Sequence, residues 1–322
     1  MFIVTGGSGF IGSAVVWKLN QVGVDDILIV DNLGRSEKWN NLVNRRYRDY
    51  VHKSVFLEQL CENKFGTIQA IVHMGACSST TERNADYLME NNFHYSKALA
   101  EYAFKKGIRL IHASSAATYG GGEKGFSDDT DGLKNLKPLN MYGYSKHLFD
   151  LWAVRNRYLD RLAGLKFFNV FGPNEYHKDD MCSVIYKAFH QIRQTGRIRL
   201  FKSGSEEYAD GEQMRDFVYV KDCADLIWWL IETPNVNGIF NAGTGDARTW
   251  NALAEAIFCA MKIPKRIEYI DMPESLRGRY QYFTRANMEK LAARGCPVGF
   301  MRLEDAVRDY IVNYLQETDP YL

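Results

Sequence analysis

Short apolar runs alternate along the chain with longer stretches whose apolar residues recur at helical spacing. Phe2–Val4, Ile27–Val30, Ala70–His73, Leu110–Ala113 and Leu165–Phe168 are nearly continuous in apolar residues, the pattern of strands buried on both faces. Between them, Phe10–Gln21, Asn84–Lys106 and Tyr142–Tyr158 predict helices. This alternation specifies an α/β fold, a doubly wound parallel sheet with helices on both faces. After about residue 170 the rhythm loosens, with Gly196, Gly204, Gly211 and Pro234 interrupting it. Asp216–Val220 and Gly238–Gly245 read as returns to the sheet, and Trp250–Met261, Arg285–Ala293 and Leu303–Gln316 as helices. The polar stretch Ser203–Gln213 reads as a mobile loop.

Composition narrows the function. The 322 residues suit one large α/β unit or two coupled lobes, and 46% are apolar, enough for a substantial core. Forty basic residues against 39 acidic ones argue against a nucleic-acid partner, which would demand a basic excess. No run of about 18 apolar residues predicts a membrane span, and the chain enters its first strand without a basic leader. The six cysteines form no CxxC pair and the seven histidines lack metal-ligand spacing, so reduced thiols in the cytoplasm and no metal are expected.

Gly6, Gly9 and Gly12 follow the first strand and open the first helix. One glycine lets the chain turn sharply, the next lets backbone approach a pyrophosphate, and the last lets helix and strand pack closely. The free N–H groups of the helix start then face the phosphates. Asp31 ends the second strand, 19 residues after Gly12, where a carboxylate can bind a ribose 2′-hydroxyl and favour NAD. Arg35, Lys38 and Lys53 could instead surround a 2′-phosphate and favour NADP. Met74-Gly75-Ala76-Cys77-Ser78 follows the third strand, where backbone would run along the cofactor, and Cys77 reads as a small packing residue, not a nucleophile.

Tyr142 and Lys146 stand four residues apart, on one face of a helix. A neighbouring ammonium lowers a tyrosine pKa, so the phenol can serve as acid or base near neutrality. Ser115, at the end of the Leu110–Ala113 strand, can hydrogen-bond a substrate oxygen.

These segments, with FFNVFGP at 167–173, RDFVYVKD at 215–222 and FNAGTG at 240–245, resemble the extended short-chain dehydrogenases, the epimerase and dehydratase family, nearly end to end. More narrowly, GACSSTTE at 75–82, PLNMYGYSKHLFD at 138–150 and GRYQ at 278–281 resemble the branch that inverts ADP-heptoses at C6. The resemblance implies a Rossmann-type domain from 1–168 and 215–241, and a smaller α/β substrate domain from 169–214 and 242–322. It implies NADP at Phe10, Ile11, Asp31, Asn32, Lys38, Lys53, Met74, Gly75, Ala76, Cys77, Ser78, Asn91 and Lys146. It places Lys178 at a second catalytic position. It puts Ser115, Asn169, Val170, Asp180, Lys187, Phe201, Lys202, Ser203, Gly204, Arg215 and Tyr280 around an ADP-heptose. It further implies a homo-oligomer, a pentamer, serving lipopolysaccharide core synthesis. Met74, Asp180 and Lys187 depart from the residues that branch carries, and Glu206–Gln213 is longer than usual.

Other readings compete. Another sugar-nucleotide epimerase, such as a UDP-galactose 4-epimerase, would share these groups. A 4,6-dehydratase would need an acidic pair after Ser115, where Ala116 and Ala117 stand. A non-catalytic dinucleotide sensor would not need the intact Tyr142–Lys146 pair.

Overall fold

The computed structural model describes residues 1–274 and 280–322, so Gly278 and Arg279 of the GRYQ segment lie outside the described residues. Its strands are β1 (Phe2–Thr5), β2 (Ile27–Asp31), β3 (Asp49–His52), β4 (Ala70–His73), β5 (Arg109–Ser115), β6 (Leu162–Phe167), β7 (Asn169–Phe171), β8 (Ile198–Phe201), β9 (Met214–Tyr219), β10 (Gly238–Ala242), β11 (Ala247–Thr249) and β12 (Ile267–Ile270). Its helices are α1 (Phe10–Gln21), α2 (Lys53–Cys61), α3 (Ala85–Leu88), α4 (Tyr95–Lys106), α5 (Met141–Arg155), α6 (Val184–Thr195), α7 (Val220–Glu232), α8 (Trp250–Met261), α9 (Glu289–Ala293) and α10 (Leu303–Tyr310).

Seven strands form the main sheet in the order β10-β6-β5-β4-β1-β2-β3, every neighbouring pair parallel. Side chains alternate across it. Val4, Ile29 and Val72 pack with Val16 of α1 and Leu226 of α7 on one face. Ile3, Leu28 and Ile71 pack with Leu99 of α4 and Phe149 of α5 on the other. The strand order reverses between β1 and β4, and in such sheets ligands bind in the crevice at that switch point.

The second half builds a smaller unit. β7, β9 and β11 form one sheet and β8 pairs with β12 in another. Phe189 of α6, Ile257 of α8 and Tyr310 of α10 fill a core of their own. Here the sequence reading needs correcting. Gly238–Ala242 does return to the main sheet, but Asp216–Tyr219 does not, because β10 occupies the free edge of β6. β9 pairs instead with β7 and β11.

The predicted Asn84–Lys106 helix forms as α3 and α4 joined by a π turn over Met89–His94. The predicted helix from Tyr142 to Tyr158 ends at Arg155, and that from Arg285 to Ala293 begins at Glu289. Leu303–Gln316 forms as α10 continued by a π turn at Ile311–Leu315.

Candidate active site

The glycine loop fills the crevice between β1 and β4. Gly6 adopts φ +66, and a Cβ there would lie 2.7 Å from the Gly75 nitrogen, so the two loops meet backbone to backbone. A Cβ on Gly12 would lie 2.0 Å from the Gly6 carbonyl oxygen. Gly9 caps α1 with no side-chain cap, leaving first-turn N–H groups for an anion. Phe10, Ile11 and Gly12 are the first residues of that helix. This cradle, sterically closed to larger residues, fits a dinucleotide pyrophosphate.

Beside it lies a cavity lined by Gly6, Asp31, Asn32, Lys38, Lys53, Gly75, Ala76, Cys77 and Asn91, all of them expected from the sequence. Tyr87 and Tyr95 line it too and were not expected. Asp31 accepts hydrogen bonds from the Ser8 backbone at 3.0 Å and the Ser8 hydroxyl, and pairs with Lys38 at 2.7 Å. Lys53 donates to the side-chain oxygen of Asn91. Arg35 is exposed. Met74 is tied to β1 through its N–H to the Thr5 carbonyl at 3.0 Å, while Ser78 is exposed on the loop beyond.

The π turn explains the far side of this loop. It presents Asn91 to Lys53 and Asn92 inward. Buried Asn92 accepts from Cys77 N–H at 2.8 Å, donates back to the Cys77 carbonyl at 2.9 Å, and donates to the Ser145 hydroxyl at 3.0 Å. Ser145 in turn donates to the Tyr142 carbonyl at 2.7 Å. Asn92 therefore clamps the cofactor-side loop to the start of α5. π turns cluster at functional sites, but nothing in the 84–106 periodicity marks one.

Asn140 caps α5 by accepting from Gly143 N–H at 2.8 Å. A Cβ on Gly143 would lie 2.7 Å from the Ala117 carbonyl, so the glycine lets α5 press against the turn after β5 and brings Tyr142 to Ser115. Burial raises the Tyr142 pKa, and hydrogen bonding with Ser115 opposes it. The expected lowering by Lys146 is not found, because the Lys146 ammonium turns away to donate to the Ala113 carbonyl at 2.8 Å. Burial lowers the Lys146 pKa to about 8, with the Asp150 charge opposing. One turn on, Asp150 and Lys166 form a fully buried ion pair at 2.6 Å, completed by Ser114 at 2.9 Å and Thr118 at 2.6 Å.

Lys178 sits on a short 3-10 turn after β7, its ammonium 5.0 Å from the centre of the Phe10 ring. Its pKa is lowered by burial, with the Glu175 charge opposing. The turn is fastened on several sides. Buried Glu175 accepts from the Ser183 hydroxyl at 2.7 Å and from Tyr310 at 3.0 Å. Buried Asn174 donates to Ser13 at 2.9 Å and accepts from Leu322 N–H at 3.0 Å. Tyr176 donates to the Pro320 carbonyl at 2.6 Å, and Leu322 packs in one cluster with Phe10 and Val220. Glu175, Asn174 and the 320–322 segment escape sequence reasoning because their partners are remote in the chain.

Of the remaining expected residues, Asn169 and Val170 open β7, directly beyond β6. Arg215 of β9 is buried at 6% exposure. It donates to the carbonyls of Met214 and Gln281 and lies 5.1 Å from the Tyr280 ring centre and 5.7 Å from that of Trp250. No ion pair to Arg215 occurs among the described residues, and burial lowers its pKa. Tyr280 accepts from the Trp250 indole at 2.9 Å. Phe201 ends β8. Lys202 pairs with Asp271 at 3.0 Å on the surface. Ser203 and Gly204 enter the polar stretch, which is folded back on itself by Ser203 N–H donating to Asp210 at 2.8 Å. Asp180 and Lys187 are exposed, and Lys187 donates to the Asp180 carbonyl at 2.6 Å.

Asp216 and Asn241 give two of the signature segments a structural part. Asp216 gathers the N–H groups of Thr244, Gly245 and Ala286 at 2.7, 2.9 and 3.0 Å, joining RDFVYVKD to FNAGTG. Asn241 accepts from the buried Tyr119 phenol at 2.6 Å, joining FNAGTG to the turn after Ser115.

The comparisons agree with this architecture. A protein of Nitratidesulfovibrio vulgaris named ADP-L-glycero-D-manno-heptose-6-epimerase is 62% identical over 323 residues, covering 100% of both chains. A Fusobacterium nucleatum protein of the same name is 48% identical over 332 residues, again covering 100% of both. The solved Helicobacter pylori ADP-L-glycero-D-manno-heptose-6-epimerase superposes with a TM-score of 0.81 at 25% identity, over 97% of this chain and 95% of that one. A UDP-N-acetylglucosamine 4-epimerase from Methanobrevibacter ruminantium shares the fold at a TM-score of 0.80 and 24% identity, over 97% of this chain and 96% of that one. The sequence model of the NAD dependent epimerase/dehydratase family matches residues 2–243, and the chain belongs to that family.

Proposed function

We propose that the chain interconverts ADP-D-glycero-D-manno-heptose and ADP-L-glycero-D-manno-heptose, inverting C6 by transient oxidation to a 6-keto sugar. The observation that carries this reading is a half-buried lysine, Lys178, its ammonium packed on the ring of Phe10, the first residue of the glycine-loop helix, besides the Ser115–Tyr142–Lys146 group. Full-length likeness to proteins named for this activity supports the choice of sugar.

When bound, the nicotinamide supplies the hydride acceptor and donor. The chain's own groups manage protons and position. Inversion requires the 6-keto carbon to show both faces in turn, so its oxygen occupies two places. A single acid–base group reaches only one of them at hydrogen-bond distance. Tyr142, held by Ser115, exchanges a proton at its phenol oxygen in one pose. Lys178 does so at its ammonium in the other, and burial already draws its pKa down towards the working range. Arg215 holds the diphosphate through charge-assisted hydrogen bonds, with Asn169, Val170, Phe201 and Tyr280 around the sugar nucleotide.

We take the cofactor to be NADP. Asp31 is already engaged by Ser8 and Lys38, so Lys38 and Lys53 offer cations where a free carboxylate would have favoured NAD. The chain also acts as a homo-oligomer in this reading, consistent with the exposed Trp39 and Val43; light scattering that finds a monomer would remove that part. The main test is incubation with ADP-D-glycero-D-manno-heptose, UDP-glucose and UDP-galactose in heavy water, with products resolved and the nucleotide released on denaturation identified. The expected outcome is inversion of the heptose alone, no deuterium at C6, and release of NADP. Inversion of a UDP-hexose in preference, or label at C6, would overturn it.

A further inference from the structure

Gln213 is wholly buried, at 0% exposure, and neither its amide oxygen nor its amide nitrogen has a hydrogen-bond partner among the described residues. A buried amide left unpaired is costly, and such groups in a native fold call for an explanation. Its position suggests one. Ser115 is paired in register with Phe167 at the end of β6. Two residues later Asn169 is paired with Phe217 of β9. Going back along β9 from Phe217, alternation puts Arg215 and then Gln213 on the same side. That is the side of Trp250, whose ring lies 5.2 Å from that of Phe217 and 5.7 Å from the Arg215 guanidinium. The Trp250 N–H donates to the Gln213 carbonyl at 3.2 Å, which continues the extended pairing to Gln213.

The polar groups thus stand in a line leading back along β9 from Phe217, the partner of Asn169: first Arg215, then Gln213 about 7 Å further along the strand. A sugar nucleotide with its sugar beside Asn169 and its diphosphate at Arg215 has its base beyond Arg215. That end is rich in rings. Tyr280 and Tyr282 meet edge to face at 5.2 Å, and Tyr208 stacks on Tyr282 at 5.8 Å. Rings offer stacking faces for a base, and an amide offers one donor and one acceptor side by side.

We propose that Gln213 recognises the adenine edge of the sugar nucleotide, its amide oxygen accepting from the exocyclic amine and its amide nitrogen donating to an adjacent ring nitrogen, the bidentate pairing glutamine makes with adenine. The proposal rests on the reading of Arg215 as the diphosphate site. It gives Gln213, which ends the unusually long polar stretch, the role of setting nucleotide preference.

The test is calorimetric binding to the dinucleotide-loaded enzyme of ADP and of purine riboside diphosphate, which lacks only the exocyclic amine. The wild type should bind ADP about tenfold or more tightly than the analogue, the scale of one buried hydrogen bond. Gln213→Leu, which fills the same space without polar atoms, should bind both equally, with a melting temperature unchanged or raised. Equal affinities in the wild type, a measurement that needs no variant, would overturn the proposal, as would undiminished discrimination in Gln213→Leu. If the loaded wild type binds neither nucleotide, the sugar-nucleotide reading itself fails, and the inference with it.

Discussion

Replacing Asp150 by Asn should be among the most destabilising polar substitutions in the chain. Asp150 and Lys166 are 1% and 0% exposed, 2.6 Å apart, with Ser114 and Thr118 as the neutral members of the network. Asparagine keeps the shape but removes the charge, leaving the Lys166 ammonium buried and uncompensated. Breaking such a pair on one side costs about 3–5 kcal/mol. For 322 residues the entropy of unfolding is about 0.7 kcal/mol per kelvin at the midpoint, so the melting temperature should fall by roughly 4–7 °C. The double variant Asp150→Leu/Lys166→Met removes both charges and should recover most of the loss. Scanning calorimetry on the ligand-free single and double variants measures both quantities. A fall below roughly 2 °C for the single variant, or a double variant as unstable as the single, would refute the argument. The same substitution should act on the active site, because the Asp150 charge opposes the burial that lowers the Lys146 pKa. Any group in the pH profile that reports Lys146 should shift towards acid in Asp150→Asn.

Three further expectations follow from the same geometry. Tyr142→Phe and Lys178→Met should each lower kcat by about 10²–10⁴-fold while retaining bound dinucleotide; a Lys178 variant that changes mainly KM would make that residue a phosphate contact. Lys146 is lowered from 10.5 to about 8 by complete burial, so the folded chain holds fewer protons than the unfolded one between those values. Its penalty is full below pH 8 and is relieved as pH rises towards 10.5. Lys146→Met should therefore raise ligand-free stability at pH 7 by up to about 3 kcal/mol, a gain that thermal melts should show vanishing by pH 10.5. Lys38→Ala frees Asp31 from its 2.7 Å partner and should weaken NADP binding far more than NAD binding, read by fluorescence titration of each cofactor.

The features legible in the sequence are those whose cause is local. The glycine spacing is readable because a Cβ at Gly6 or Gly12 would collide with neighbouring backbone, so residue type alone reports the shape. β1, β2 and β4 are readable because they are buried throughout. β3, with Asp49 and His52 exposed, is an edge strand whose polar ends look like loop. β9 has the same buried run as the main-sheet strands, and only the occupancy of the β6 edge sends it elsewhere. α6 carries a clear apolar face at Ile185, Ala188, Phe189 and Ile192, yet the glycines around it hide the period. In the site, Tyr142, Lys146 and Ser115 announce themselves by spacing. Asn92 and Glu175 do not, since their work depends on a π turn and on Tyr310, 135 residues away.

The fastening of the Lys178 turn bears on how the chain folds. Asn174 and Tyr176 reach Leu322 and Pro320 across 148 and 144 positions, and Asn174 reaches Ser13 across 161. Contacts of such sequence separation are formed only after long loops have closed, against chain entropy that local helices do not face. The seven-stranded sheet can assemble from neighbouring strand–helix units, whereas fastening the Lys178 turn needs three distant segments at once. Closure of the Lys178 turn is then among the last steps of refolding, well after the helical signal has returned.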